Sequence, residues 1–148
     1  MNHSPKDRVD AWNIRPFEPG DIHAALDLWA ASEGLGVGPG DTLPELSRYL
    51  ERNPGISQVA IAGQTLVAAM LCGHDGRRAY IYRLAVAASH RRQGLASALV
   101  QACLEALRAA DIPRCQVFVL ADNAVAAGFW ARMGGRPRGE LRMLSIEL

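Results

Sequence analysis

The run Leu84-Ala85-Val86-Ala87-Ala88-Ser89-His90-Arg91-Arg92-Gln93-Gly94-Leu95-Ala96 constrains this chain more than any other part of it. Its apolar start reads as a buried strand, its middle as a short basic loop. Gly94 then opens a long helix rich in alanine and leucine. The first N–H groups of any helix lack partners inside it. Those donors sit at the positive end of the helix dipole, which makes the joint a receptor for a phosphate-bearing ligand. The expected donors are the N–H groups of Gln93, Gly94, Leu95, Ala96 and Ser97, with Arg91 and Arg92 adding charge. Gly94 fits there because a Cβ would obstruct phosphate oxygens. The plainer reading of the two arginines, as cover for a solvated loop, stays open.

Two common phosphate-binding loops are excluded. No Gly-x4-Gly-Lys-Ser/Thr run occurs, and no Gly-x-Gly-x-x-Gly follows a first strand. Gly34, Gly36, Gly38 and Gly40 follow a helix and alternate too regularly for that fingerprint.

The bulk properties narrow the class. A chain of 148 residues fits one domain with a real core. A net charge of +1 argues against a nucleic-acid partner, which would call for a clear basic excess. Local pairs such as Arg77-Arg78 and Arg91-Arg92 suit a compact anion better than a duplex. Cys72, Cys103 and Cys115 lack metal-like spacing and lie in apolar runs, as small core residues do. An odd set of free thiols points to a reducing cytoplasm. No apolar run approaches the roughly 20 residues of a membrane span. Residues 1–13 are polar, lack the apolar middle of a signal peptide, and read as a flexible tail before a single domain at 14–148.

Along the chain, Ile14 to Phe17 reads as a first strand, near an edge because of Pro16. Asp21 is expected to cap a helix bearing Ile22, Ala25, Leu26 and Trp29. A glycine-rich stretch from Glu33 follows, and Asp41-Thr42 start a second helix bearing Leu43, Leu46, Tyr49 and Leu50. Asn53-Pro54-Gly55 stops it. Strands are expected at Gln58–Ala62 and Leu66–Cys72, joined by a Gly63-Gln64 hairpin, then at Ala79–Val86. A helix from Leu95 to about Ala110 keeps Ser97, Gln101, Glu105 and Arg108 on its solvated stripe. Gln116 to Leu120 reads as a fully buried strand, Asn123 to Met133 as a helix closed by Gly134-Gly135, and Leu141 to Leu148 as a final strand. The order β-α-α-β-β-β-α-β-α-β makes the class α+β (mixed α/β).

Arg91-x-x-Gly94-x-Ala96 resembles the pyrophosphate signature of the GCN5-related N-acetyltransferases (GNAT). Asp75-Gly76-Arg77-Arg78, Tyr82-Arg83-Leu84-Ala85-Val86 and Asp122-Asn123-Ala124 extend the likeness, which is strongest to small bacterial YpeA- or RimI-like members. The resemblance implies a mixed, mostly antiparallel sheet of six to seven strands with a V-shaped split, flanked by four helices. It implies acetyl-CoA in the split, its pantetheine arm bonded along Leu84, Ala85 and Val86. Across the gap it implies Asn123, with Phe129 and Trp130 on the following helix. If Asp122 caps that helix, Asn123 is left for the ligand.

The same likeness implies a tyrosine as proton donor where Trp130 stands. An indole N–H donates a hydrogen bond but is no acid at neutral pH. Tyr82 is the first substitute, and water or an unprotonated thiolate are the others. Candidate bases are Glu33, His74, Asp75 and Tyr82. Histidine side chains titrate near neutrality, and a carboxylate at Glu33 would attract a cationic amine. A bound water would leave no signature. The expected function is acetyl transfer from acetyl-CoA, or another acyl-CoA, to a primary amine in a ternary complex. That amine belongs to a protein N-terminus, a lysine or a small molecule. The alternative is an acyl-CoA-binding sensor or interaction domain with little transfer activity. No metal, nucleic acid or membrane is expected, and a homodimer is compatible with the sequence.

Overall fold

The computed structural model describes residues 11–32 and 38–148. Two compact units divide the chain, one ending at Phe118 and the other comprising Val119–Leu148.

The first unit is a sheet ordered β1 (Trp12–Pro16), β2 (Gln58–Ala62), β3 (Thr65–His74), β4 (Ala79–Val86) and β5 (Cys115–Val117). The first four strands pair antiparallel, and β5 joins β4 in parallel. The β2–β3 hairpin turns as expected at Gly63-Gln64, where Gly63 supplies a φ of +62° that suits a two-residue turn. The strand of Ile14 starts two residues earlier, at Trp12, because the ladder with β2 runs on to Ala62.

Helices cover both faces. α1 (Ile22–Ala30) and α2 (Leu43–Arg52) bury Ile22, Ala25, Trp29, Leu46 and Leu50 against Val59, Ala69, Leu71 and Ala85. α3 (Leu95–Ala109) buries Leu95 and Leu99 against Ala60, Ala62, Val67 and Ala68 on the opposite face. With apolar partners on both sides, β3 is buried over most of its length. α2 has a reciprocal cap: Glu45 N–H donates to Thr42 Oγ1, and Thr42 N–H donates to Glu45 Oε1. Asp21 is not a side-chain cap for α1. Its carboxylate accepts two bonds from Arg15, at 2.7 and 2.8 Å, and one from the Glu18 N–H at 2.9 Å. Burial alone would raise the Asp21 carboxyl, but those bonds and the Arg15 charge hold it below its ordinary value.

Two strand expectations are corrected. β5 covers only Cys115–Val117 and is half-buried, with Phe118 and Leu120 exposed beyond it. Among the described residues the sheet is therefore five-stranded, not six- or seven-stranded. Leu141–Leu148 carries no strand, because period-2 apolar alternation yields one only where a neighbour completes a ladder.

In the second unit, α4 (Ala124–Arg132) is closed by Gly134 at φ +95° and by the Gly135 N–H donating to Trp130 O at 2.8 Å. Asn123 itself caps α4, its Oδ1 accepting the Ala126 N–H at 3.0 Å; Asp122 does not leave it free of that duty. The Phe129 and Trp130 rings meet edge to face, 5.0 Å between centroids.

Candidate active site

The site begins where β4 and β5 part. Their ladder runs through Ala79–Cys115, Tyr80–Gln116 and Ile81–Val117, then stops. From Tyr82 to Val86, β4 has no β5 partner, so its outward N–H and C=O groups form an open edge. The cause is local. Ala69 pairs with Ala85 and Leu71 with Tyr82, so β4 holds one extra residue against β3. Arg83 sits in that bulge at φ +57°, and a bulge bends its strand.

Arg83 also joins the bulge to the helical layer. Its guanidinium donates to Asp41 Oδ2 and lies 5.6 Å from the centroid of the buried Trp29 ring. Asp41 Oδ2 in turn accepts the Gly38 N–H at 2.7 Å. Sequence reasoning gave this pair no role. The available signal was a lone arginine within the apolar pattern Ile81-Tyr82-Arg83-Leu84.

Beyond Val86, Ala88–His90 forms a short 3₁₀ turn, and Arg91 Nε donates to Val86 O at 3.2 Å. That bond ties the basic loop to the end of the open edge. Arg92 and Gly94 both take left-handed backbone, at φ +63° and +75°. For arginine that conformation is uncommon, and such outliers concentrate where loops bind ligands. Gly94 is the N-cap of α3, so the N–H groups of Leu95, Ala96 and Ser97 open from the helix end. A Cβ built on Gly94 meets nothing within 4 Å, which leaves the space over the turn clear. Gln93 Oε1 is buried with no hydrogen-bond partner among the described residues. A buried carboxamide oxygen without a donor calls for water or a ligand N–H or O–H, which a pyrophosphate does not supply. The open N–H groups of the turn and the clear space over Gly94 are what fit a pyrophosphate.

Tyr82 lies at the first position of the open edge, exposed, its hydroxyl raised above its ordinary value by burial of part of the ring and by Tyr80. It therefore holds its proton throughout the neutral range. His74 lies at the other end of the ladder, paired with Ala79 where β5 is still attached, and its Nδ1 accepts the Gly76 N–H at 3.0 Å. Asp75 accepts from the Arg77 and Arg78 N–H groups, which hold its carboxyl below its ordinary value. Glu33 lies outside the described residues. The structure thus brings Tyr82, Leu84, Ala85 and Val86 together with the loop at 91–97, and sets His74 apart from them. Asn123, Phe129 and Trp130 belong to the second unit.

Among the described residues no three His, Cys, Asp or Glu side chains are grouped to hold a metal. No described helix is long and apolar enough to cross a membrane.

An open strand edge thus runs into a helix turn with free N–H groups and clear space above it. The pattern of the acetyltransferase (GNAT) family matches residues 15–135, and the chain belongs to that family. It is an N-acetyltransferase by this membership. It is 28% identical over 120 residues to an acetyltransferase of Yersinia pestis, covering 81% of this chain and 84% of the relative. Among solved structures it resembles Ard1 from Thermoplasma volcanium, with a TM-score of 0.74 and 25% identity over 84% of this chain and 82% of that one. An aminoglycoside acetyltransferase from an uncultured soil metagenomic sample shares the fold, with a TM-score of 0.72 and 21% identity over 93% and 99% of the two chains. Members of this family use acetyl-CoA as acetyl donor.

Proposed function

We propose that this chain transfers the acetyl group of acetyl-CoA directly to a primary amine within a ternary complex. The observation that carries the reading is the continuity of the open edge Tyr82–Val86 with the left-handed turn at Gly94. A pantetheine arm carries amides that can extend a strand edge, and a pyrophosphate suits a helix N-terminus. Leu84, Ala85 and Val86 would hold the arm. Arg91, Arg92, Gln93, Gly94, Leu95, Ala96 and Ser97 would hold the phosphates. Asn123 spends its carbonyl oxygen on the α4 cap, and its –NH₂ remains chemically suited to a pantetheine carbonyl. Phe129 and Trp130 are assigned to the donor by resemblance to the family, with Trp130 standing where that resemblance implies a tyrosine.

A backbone N–H near Leu84 is the natural oxyanion donor as the amine attacks the thioester carbonyl. Tyr82, which holds its proton at neutral pH, is the proton source for the departing thiolate, and the proton shed by the attacking amine passes through water to restore it. Direct attack is favoured over an acetyl-enzyme because Cys72 and Cys103 are buried in the core and Cys115 pairs with Ala79, at the closed end of the β4–β5 ladder away from the open edge. Three free cysteines support a reducing compartment such as the cytoplasm. The acceptor is a protein N-terminus, a lysine or a small amine.

The test is thermal unfolding with acetyl-CoA, CoA and ATP. At about 100 times Kd a ligand stabilises the fold by about 2.7 kcal/mol, which moves Tm by roughly 5–10 °C. Acetyl-CoA and CoA should each give that shift and ATP should not, and thiol release should then follow addition of amines. Equal shifts with ATP, or none at all, would remove the reading.

A further inference from the structure

The bulge of β4 holds an arginine where its backbone favours glycine. Ala69 faces Ala85 and Leu71 faces Tyr82, so Met70 alone stands opposite Arg83 and Leu84. When the first residue of such a bulge is left-handed it is normally glycine, because a Cβ disfavours that conformation. Arg83 is that first residue, at φ +57°. Strain of this kind persists only where the surroundings over-determine it, and it concentrates at functional sites.

The arginine side chain supplies the restraint. Residues directly opposite on an antiparallel ladder share a face, so Tyr82 lies with Leu71 on the side of α1 and α2. Leu84 packs on the other side, against the cluster that holds Leu95 and Leu99 of α3. The extra residue lets Arg83 follow Tyr82 onto the α1–α2 side, where its guanidinium meets Asp41 Oδ2 and the Trp29 ring. Trp29 is fully buried, and Asp41 Oδ2 also accepts the Gly38 N–H. Extended backbone at Arg83 would carry the guanidinium away from both. The effect falls on the next peptide unit. That unit is planar and carries the Leu84 N–H, so the Arg83 backbone angles set where the N–H points. The same N–H is the oxyanion donor of the proposed reaction, and such a donor acts by being aimed in advance.

We propose that Arg83 is a positioning residue for acetyl transfer: held by Asp41 and Trp29, its side chain keeps the bulge left-handed and so aims the Leu84 N–H at the thioester carbonyl oxygen. This rests on the acetyltransferase reading and deepens it. Arg83 acts through the backbone of its neighbour, not by contact with donor or acceptor. A pair that only stabilised the fold would leave the direction of the N–H indifferent to which residue stands at the bulge.

Arg83→Met and Arg83→Gly separate the two roles. Both lose the ion pair and the Trp29 contact, so a purely stabilising role makes them alike. Glycine takes left-handed backbone freely and methionine does not. The probe is acetyl-CoA carrying carbon-13 at its acetyl carbonyl, followed by calorimetric titration and by isotope-edited infrared difference spectroscopy. Binding to the parent should move the carbonyl band to lower frequency than in free acetyl-CoA, because a donated N–H weakens the C=O bond. Arg83→Gly should keep that displacement and Arg83→Met should lose most of it. Both should bind acetyl-CoA within about twofold of the parent, since the arm and the phosphates are held elsewhere. Asp41→Ala, which removes the anchor and leaves the arginine, should also lose the displacement. Equal displacement in all four proteins, loss in Arg83→Gly as well as Arg83→Met, or an undisplaced band in the acetyl-CoA-bound parent would overturn the positioning role and leave the acetyltransferase reading standing. No binding of acetyl-CoA by the parent would remove that reading and this inference with it.

Discussion

Arg83, at the bulge of β4, and Asp41, in the segment leading into α2, are joined by an ion pair across 42 positions of sequence. The link fixes the start of the open edge to the helical layer. Both side chains are mostly covered, 14% and 15% exposed, which separates this pair from ordinary surface bridges.

Removing one partner therefore leaves the other incompletely satisfied in a partly buried place. Arg83→Met should cost about 1–3 kcal/mol in urea unfolding, with loss of the cation–π contact to Trp29 included. Asp41→Asn, which retains an acceptor, should cost less. Parent-like stability in Arg83→Met would mean the pair is incidental to the bulge.

Gly94→Ala tests the turn. The substitution puts a Cβ on left-handed backbone at a cost of about 1 kcal/mol, and nothing within 4 Å opposes it sterically. The fold should thus survive. The new methyl projects into the space the phosphates are proposed to use, so acetyl-CoA affinity should fall more than about tenfold, or about 1.4 kcal/mol. Unchanged affinity at slightly lowered Tm would move the phosphates elsewhere.

Much of this was legible in the sequence, for identifiable reasons. The Gln58–Ala62 and Ala79–Val86 strands and the start of α3 at Leu95 coincide with expectation, because apolar runs there are bounded by turn residues. The Gly94 turn was readable from its flanking basic and apolar residues. The shortness of β5 was not: Gln116-Val117-Phe118-Val119-Leu120 is uniformly apolar after Gln116, and composition does not reveal that its partner strand bends away at Arg83. The same holds for Leu141–Leu148, whose alternation is a preference that only a neighbouring strand can realise. Arg83–Asp41 and the cluster of Tyr80, Tyr82 and Phe118 depend on register across distant segments, which periodicity within one segment cannot encode.

Tyr82→Phe separates the ring from its hydroxyl. If the hydroxyl delivers the proton, kcat should fall by about tenfold or more. The affinity for acetyl-CoA should hold, because the ring stays beside Tyr80 and Phe118. Steady-state rates with direct titrations provide the comparison. An unchanged kcat would assign the proton to solvent.

The three thiols should react unequally. Interaction with the neighbouring Cys103 and Cys115 thiols, and burial, push the Cys72 thiol far up. Interaction with the Cys72 thiol pulls Cys115 below its ordinary value despite partial burial, and Cys115 is the one thiol not fully buried. Thiolates are the reactive species, so iodoacetamide should label Cys115 first and Cys72 only on unfolding. Mass spectrometry of digests resolves this. Early modification of Cys72 would show that the core opens there.

Tyr49 gives the chain an alkaline limit. Burial drives its hydroxyl far above the ordinary value of 10.0, and Tyr82 is raised in the same direction. A raised pKa means the fold favours the protonated form. Its contribution is complete below pH 10 and is lost above it, as the unfolded chain ionises while the folded one resists. Stability should therefore decline from about pH 10 upward. The Tyr49 hydroxyl also has no hydrogen-bond partner among the described residues, so at neutral pH it costs more than it contributes. Tyr49→Phe should match or exceed the parent by about 1 kcal/mol at pH 7 and lose less above pH 10. Unfolding curves at pH 7, 9, 10 and 11 would show both effects. A variant weaker at pH 7 would reveal a partner for the hydroxyl, and one with an unchanged alkaline decline would place the sensitive group elsewhere.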